Sequence, residues 1–324
     1  MKAIRAHAFG GPEFLQLDDI PDPVPGAGEV VVDIRAAGIN PADTYMRTGT
    51  YAIVPDLPYI PGGDAGGVVA AVGDGVGGFR PGDRVLVSTG LGFDMTGCYA
   101  EKVCRKAEYL LPLPDEVSFA AAAAIGVPYA TAHYALFARG GATAGETVFI
   151  HGASGSVGTA AIQMAKRAGL TVIGSGGSER GRALILAEGA DHALDHTAEG
   201  YQAELGRLTG GKGPELVLEM LANVNLSADM ELVAKYGRII VIGNRGEITV
   251  NARRAMMKEL DIRGIALWNA DAGLIREIMA DIVAGLKDGS LRPIVGREMP
   301  LAEAAAAHVA VLDPGAYGKI VLVP

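Results

Sequence analysis

The chain has 324 residues, enough for two domains of ordinary size, and 49% of them are hydrophobic, enough for a large core. A formal net charge of −9 argues against a nucleic-acid binder, because phosphate contacts need a basic face. Two cysteines, Cys98 and Cys104, exclude a disulfide framework and fit a reducing compartment.

The first ~120 residues read as short strands separated by glycine, proline and aspartate. The strand candidates are Lys2–His7, Gly28–Gly38, Gly66–Gly73, Gly82–Ser88 and Tyr99–Cys104. Irregular loops are expected over Gly38–Tyr51 and Val54–Asp64. Such a β-rich region would close as a partly open barrel or a sandwich. The N-terminus lacks an apolar signal core, so no secretion is implied and a cytoplasmic protein is expected. Val117–Ala138 carries no formal charge and is long enough to span a bilayer. It is alanine-rich, however, and Gly126, Pro128 and His133 interrupt it, which predicts two buried helical pieces joined near Pro128.

After Pro128 the rhythm changes. Strands are predicted at Thr147–Gly152, Thr171–Ser175, His192–His196, Glu215–Leu221, Arg238–Gly243 and Asp261–Leu267. Between them fall helical patterns at Val157–Ala168, Glu179–Glu188, Tyr201–Leu208 and Leu226–Ala234. Helices over Ala272–Leu286 and Leu301–Leu312, with strands at Leu291–Val295 and Lys319–Pro324, follow. The alternation predicts an α/β domain with a buried, doubly wound parallel sheet.

The stretch Phe149–Ala165, FIHGASGSVGTAAIQMA, has the look of a phosphate-binding turn between strand and helix. Gly155 and Gly158 fit the later glycines of G-x-G-x-x-G, but Ala153 stands where the first belongs. A turn built only for close strand–helix packing would use the same triplet; the βαβ series around it favours a nucleotide. The next strand runs into Ser175–Arg182, SGGSERGR, with no carboxylate before Glu179. An NAD site would usually place an acid there for the ribose hydroxyls. Small residues, a hydroxyl and Arg180 or Arg182 instead favour the 2′-phosphate of NADPH. The two arginines cannot share one helical face, so one of them at most makes the contact.

The chain resembles the medium-chain dehydrogenase/reductase superfamily, and within it the quinone oxidoreductases of the ζ-crystallin type. GINPADTYMRTGTY, LPYIPGGDAGGVVAAVGDGV, AAIGVPYATAHYAL, VFIHGASGSVGTAAIQMAK, EMLANVNL, GRIIVIGNRG and GKIVLV are similar to that family's motifs, in family order. The resemblance implies a GroES-like catalytic domain from residues 1–124 and 266–324, with a Rossmann NADPH-binding domain at 125–265 inserted. It implies NADPH-dependent reduction of quinones, with a preference for ortho-quinones, by a homodimer or homotetramer. Tyr45 matches the tyrosine near the nicotinamide, and Ser154, Gly155, Ser156 and Val157 match the pyrophosphate turn. Gly177 and Arg180 fall in the adenosine-phosphate region, with Lys319 a weaker candidate there. His196 and Asn225 match further cofactor contacts. Ile242, Gly243, Asn244 and Arg245, with Ile265, Ala266 and Leu267, would line the nicotinamide side.

Zinc-dependent relatives carry a Gly-His-Glu motif where this chain has Gly62–Gly63–Asp64. With two cysteines, no closed structural thiolate site can form within one subunit, and no metal is expected. Hydrogen-bond donors must then meet the charge that hydride transfer places on the acceptor oxygen: Asn40 by its amide, Tyr45 by its phenol, and Tyr51 as a third candidate on the same loop. Asn40 has an alternative structural use, an Asx-type bond before Pro41. An NADPH-dependent alkenal or enoyl reductase is a second reading, and a mainly non-catalytic, crystallin-like or RNA-binding role a third. The acidic balance weakens the RNA role. No membrane partner is expected.

Overall fold

The computed structural model describes residues 1–88, 97–315 and 317–324. Strands β1 (Lys2–Ala6) and β2 (Leu15–Asp19) pair as an antiparallel ribbon at the N-terminus. Strands β3 (Glu29–Gly38), β4 (Asp64–Val72), β5 (Arg84–Ser88), β6 (Lys102–Lys106) and β7 (Leu110–Pro112) belong to one sheet, β3 to β4 to β5 to β7, with β6 on β3. All pairs among these strands are antiparallel. Strands β8 (Thr147–Ile150), β9 (Thr171–Ser175), β10 (His192–Leu194), β11 (Leu216–Glu219), β12 (Arg238–Val241) and β13 (Asp261–Gly264) form a second, wholly parallel sheet. Its order, β10-β9-β8-β11-β12-β13, reverses direction at β8. That is the doubly wound order 3-2-1-4-5-6, with its ligand crevice at the switch point beyond the C-terminal ends of β8 and β11. The last strands, β14 (Val295–Pro300) and β15 (Lys319–Val323), return to the first sheet, where β15 pairs antiparallel with β3.

The strands of the parallel sheet read as unbroken apolar runs because both faces are covered. Phe149, Ile173, Val217 and Ile239 fill one face, and Val148, Val172, Leu218 and Ile240 the other. The helices are α1 (Pro41–Arg47), α2 (Phe119–Ala122), α3 (Gly126–His133), α4 (Ser156–Arg167), α5 (Glu179–Ala187), α6 (Tyr201–Leu208), α7 (Ala222–Leu232), α8 (Ala252–Lys258), α9 (Ala272–Lys287) and α10 (Ala304–Ala310). Helix α9 lies beyond residue 265, yet its Ile275, Ile278, Met279 and Ile282 share a core with Ile162 and Met164 of α4.

Several expectations need correction. Gly38–Tyr51 is not wholly irregular: α1 forms there, with Asn40 at its N-cap, Pro41 at its first position and Asp43 at its third. Asp43 Oδ2 accepts the Asn40 backbone N–H at 2.8 Å, the return half of a capping box. Pro128 is not the break in the alanine-rich segment. The break falls at residues 123–125, and Pro128 sits in the first turn of α3, where its missing N–H costs no helical bond. No helix of the described residues is long and apolar enough to cross a membrane. The strand expected at Leu291–Val295 lies later, at β14, and β2, β7 and α8 were not foreseen.

Candidate active site and cofactor cleft

The glycine turn lies at the switch point. Gly152 has φ +54°, so the residue forced into the left-handed region precedes Ala153 and must be the glycine. Ala153 is fully buried, and its N–H bonds the Ser175 carbonyl at 2.9 Å, tying the turn to the end of β9. Close packing explains the other glycines. A Cβ on Gly158 would lie 2.5 Å from Ala153 Cα, and one on Gly174 would lie 2.8 Å from Ala153 Cβ. Gly155 caps α4 in extended backbone with no side-chain cap, so the helix's first N–H groups point at the crevice uncovered by protein. Ser154, Ser156 and Val157 flank that opening. The Ser154 carbonyl accepts the Gly318 N–H at 2.8 Å, joining the turn to the strand β15 of the other sheet.

At the end expected to meet the adenosine, β9 finishes in Ser175, whose buried hydroxyl has no hydrogen-bond partner among the described residues. Gly177 and His196 meet here: a Cβ on Gly177 would lie 3.1 Å from His196 Nε2. Burial, and secondarily nearby His151, lower the His196 pKa and favour its neutral form. The two arginines are separated by their partners. Arg182 pairs with Asp195 at 2.7 Å and bonds the Gly176 carbonyl at 3.2 Å. Arg180 instead lies over the Tyr317 ring, 3.8 Å from its centroid, and makes no carboxylate ion pair among the described residues. This donor set fits a ribose 2′-phosphate: a cation without a carboxylate, a hydroxyl without a partner, and no acid at the strand end.

The start of α1 is held by a buried polar network. Asn40 Nδ2 donates to Asp64 Oδ2 at 2.9 Å, and Lys319 Nζ donates to Asn40 Oδ1. Lys319 Nζ also lies 3.7 Å from Asp64 Oδ2, with both side chains buried. The Tyr99 hydroxyl donates to Asp43 Oδ2 at 2.9 Å. Burial pushes Asp43 up to about 6, against the bonds it accepts from Asn40 and Tyr99. Burial likewise raises Asp64 and lowers Lys319, and their mutual attraction opposes both shifts. Lys319 thus lies beneath the start of α1 and not at the end of β9: its backbone N–H bonds the Ile294 carbonyl at 2.8 Å, the neighbouring Gly318 makes the bond to the glycine turn, and the Lys319 side chain reaches Asn40 and Asp64. Asn40 serves both ends: it is the N-cap in the capping box of α1, and its amide joins this network.

Above the network three aromatic rings converge. Arg245 Nε donates to the Tyr45 hydroxyl at 3.1 Å. The Tyr45 and Tyr51 centroids are 6.2 Å apart, and Tyr51 meets Trp268 edge-to-face at 5.0 Å. Burial, then the charge of Asp43, raises Tyr51 to about 12, which keeps its proton on the oxygen. The loops after β12 and β13 bring the nicotinamide-side candidates here. Ile242 N–H bonds the Glu219 carbonyl at 2.8 Å, and Gly243 has no room for a Cβ because the Met220 carbonyl would be 2.2 Å from it. Asn244 Nδ2 bonds the Gly246 carbonyl, and the Arg245 N–H bonds Asn223 Oδ1 at 2.9 Å. Ile265 N–H bonds the Val241 carbonyl at 3.1 Å, and Ala266 and Leu267 follow in chain.

Asn225 points into the fold: its Nδ2 donates to Glu219 Oε1 at 3.2 Å. Glu219 in turn belongs to a buried group that the sequence did not reveal, His151, Glu219 and Asp229. His151 Nε2 is 2.8 Å from Asp229 Oδ1 and 3.3 Å from Glu219 Oε2. Burial raises Glu219 to about 7 and Asp229 to about 6. Their chain separation leaves no motif to find. Trp268 was also missed; its place directly after Ile265–Leu267 was the available signal.

Comparison with known proteins agrees with this geometry. Residues 26–115 match the alcohol dehydrogenase GroES-like domain, and residues 156–284 match the zinc-binding dehydrogenase domain. The human quinone oxidoreductase is 41% identical over 324 residues, covering 99% of this chain and 97% of its own. The chain belongs to the medium-chain dehydrogenase/reductase family, among the quinone oxidoreductases. It is an oxidoreductase with a GroES-like unit and a Rossmann-like parallel sheet. The structure of Escherichia coli quinone oxidoreductase complexed with NADPH is 28% identical, with a TM-score of 0.89 over the whole of both chains. The structure of an NAD-dependent alcohol dehydrogenase, 33% identical, superposes with a TM-score of 0.92, again over both whole chains. The fold is therefore shared by users of either nicotinamide cofactor, and the residues beyond β9 must decide between them. Asp64 lies in the GroES-like part, at the position of the zinc-dependent relatives' Gly-His-Glu motif, and the residues around it do not fit a zinc ion. A buried ammonium, Lys319 Nζ, already takes the oxygens of Asn40 and Asp64, and Gly63 stands where the zinc-dependent relatives have histidine.

Proposed function

We propose that this oxidoreductase binds NADPH and uses it to reduce quinones, ortho-quinones foremost, without a metal. The observation that carries the reading is the Tyr45 phenol, held by Arg245 beside Tyr51 where the loops after β12 and β13 approach. NADPH supplies the hydride. The N-terminus of α4 binds the pyrophosphate, and Arg180 with Ser175 holds the 2′-phosphate. As charge grows on the acceptor oxygen, the Tyr45 hydroxyl donates a hydrogen bond to it and keeps its proton, and the proton that completes the hydroquinone comes from solvent. Arg245 occupies a lone pair of the same phenol oxygen, which leaves that hydrogen for the acceptor and strengthens it as a donor. A quinone is already electron-poor, so one or two such bonds suffice where a ketone would need a Lewis acid. The Lys319–Asn40–Asp64 network fixes the start of α1 and thereby aims Tyr45. It acts on position, not on the acceptor.

NADPH oxidation with 9,10-phenanthrenequinone, in the presence of a chelator, tests this reading. Turnover that survives chelation is expected. No turnover with any quinone, or faster turnover of a crotonyl thioester, would overturn it. We also propose a homo-oligomer built on β13. That strand ends the parallel sheet with its outer edge unpaired among the described residues, and Ile262 on it is exposed, as are Met256 and Met257 on α8. Light scattering returning a monomer mass would reject it. The soluble, cytoplasmic setting expected from the sequence belongs to the same proposal.

A further inference from the structure

Trp268 is the chain's sole tryptophan, and it stands half exposed, at 46%, on the short turn Leu267–Asn269. Its neighbours in the fold are not its neighbours in sequence. Tyr45 and Tyr51 come from the loop after β3, some 220 residues earlier by number (Trp268 less Tyr51 is 217). Tyr51 and Trp268 meet at 77° and 5.0 Å, an edge-to-face contact. Such a contact covers at most one face of the indole, so at least one face is left by Tyr51 for another ring. Leu267 and Ala270, on either side, pack against the core, whereas Trp268 does not join it. An indole held against an aromatic wall but kept out of the core is placed to receive a flat apolar ligand.

We propose that Trp268 is a specificity-determining residue: its indole stacks on the acceptor and selects planar, fused-ring quinones over single-ring ones. The proposal rests on the reading that the acceptor is a quinone reduced beside Tyr45. Stacking area grows with each fused ring, while the hydrogen bond from Tyr45 is the same for any quinone oxygen. Trp268 therefore acts on the choice of acceptor and leaves the transfer itself to other groups.

Two measurements test it. The single indole makes fluorescence specific: with NADP⁺ present to prevent turnover, 9,10-phenanthrenequinone should quench the wild-type emission saturably, after correction with free tryptophan for absorbed light. 1,4-Benzoquinone should do so only at far higher concentration. In kinetics, Trp268→Ala should lower kcat/KM for phenanthrenequinone roughly 10-fold, mainly through KM, the size of effect an aromatic pair supplies. Turnover of benzoquinone should stay within about 2-fold of wild type, and Trp268→Phe should recover most of the loss. Equal losses for both quinones, no loss for either, or unquenched wild-type emission would overturn the proposal. A wild-type enzyme that reduces no quinone would instead sink the reading beneath it, and the fluorescence titration would still judge whether the indole takes a flat ligand.

Discussion

At the scale of single residues, the candidate site separates groups that face the cleft from groups that hold it. Tyr45 faces it. Tyr45→Phe removes one donor and keeps the ring, so kcat should fall by about 10-fold or more while KM for NADPH changes little. Unchanged turnover would remove Tyr45 from the chemistry. Asn40 has the right chemistry for the same task, and sequence offered no reason to prefer one over the other. The structure gives Asn40 to Asp64 and Lys319. The arginines show the same limit. The spacing of Arg180 and Arg182 said that at most one could serve the phosphate. Only the position of Asp195, the partner of Arg182, shows which guanidinium is left for an anion. Residue types were legible because chemistry needs particular functional groups. Their assignments were not, because a hydrogen bond to a distant residue leaves no trace in local pattern.

At the scale of elements, the glycine turn was the most readable feature, and its irregular spelling has a mechanical cause. The left-handed φ belongs to Gly152, so Ala153 needs no special backbone and adds a methyl to the core between β8 and β9. Gly158 is different: its missing Cβ is what lets α4 lie against Ala153. Gly158→Ala should therefore destabilise the protein by about 1–3 kcal/mol, as overpacking does. It should also weaken NADPH binding, because α4 must withdraw from the turn. A melting temperature and an NADPH affinity both equal to wild type would refute this. The helix α1 shows an element whose signal was present and unread. Asn-Pro-x-Asp spells N-cap, first position and third position of a capped helix. Its brevity hid it, since seven residues are too few for a helical period to emerge. The reverse held at Pro128, where a helix-breaking residue stands in the one turn that tolerates it.

At the scale of the molecule, residues 318 and 319 connect the working parts. Gly318 bonds the glycine turn, and Lys319 reaches the network under the start of α1. The C-terminal strand thus ties the two halves of the candidate site together. Stability across the molecule also depends on groups that burial holds neutral. His308, on α10, has neither ring nitrogen hydrogen-bonded among the described residues and faces the Tyr99 ring, with the positive Arg47 nearby. Burial, the larger cause, and Arg47 lower its pKa to about 3. Below pH ~6.5 the unfolded chain takes up a proton that the fold refuses, so this contribution to stability is lost as pH falls from there toward 3. The raised carboxyls of Asp43, Asp229 and Glu219 act in the opposite sense, losing stability as pH rises through about 6 to 7. A difference measurement isolates His308. Between pH 7 and pH 5, the stability of His308→Leu relative to wild type should rise by about 2 kcal/mol. A difference that does not change with pH would count against a buried neutral imidazole. The sequence by itself determined the class of fold, the place of the glycine turn between β8 and α4, and the choice of a phosphorylated nicotinamide cofactor. Apolar periodicity and glycine spacing are local, and a missing acid at a strand end is visible in one short stretch. Only the tertiary structure decided that Lys319 belongs under the start of α1, which arginine is paired with a carboxylate, and that Trp268 meets Tyr51. Each of these is a contact between segments far apart in the chain, made by packing of two sheets that no local pattern records.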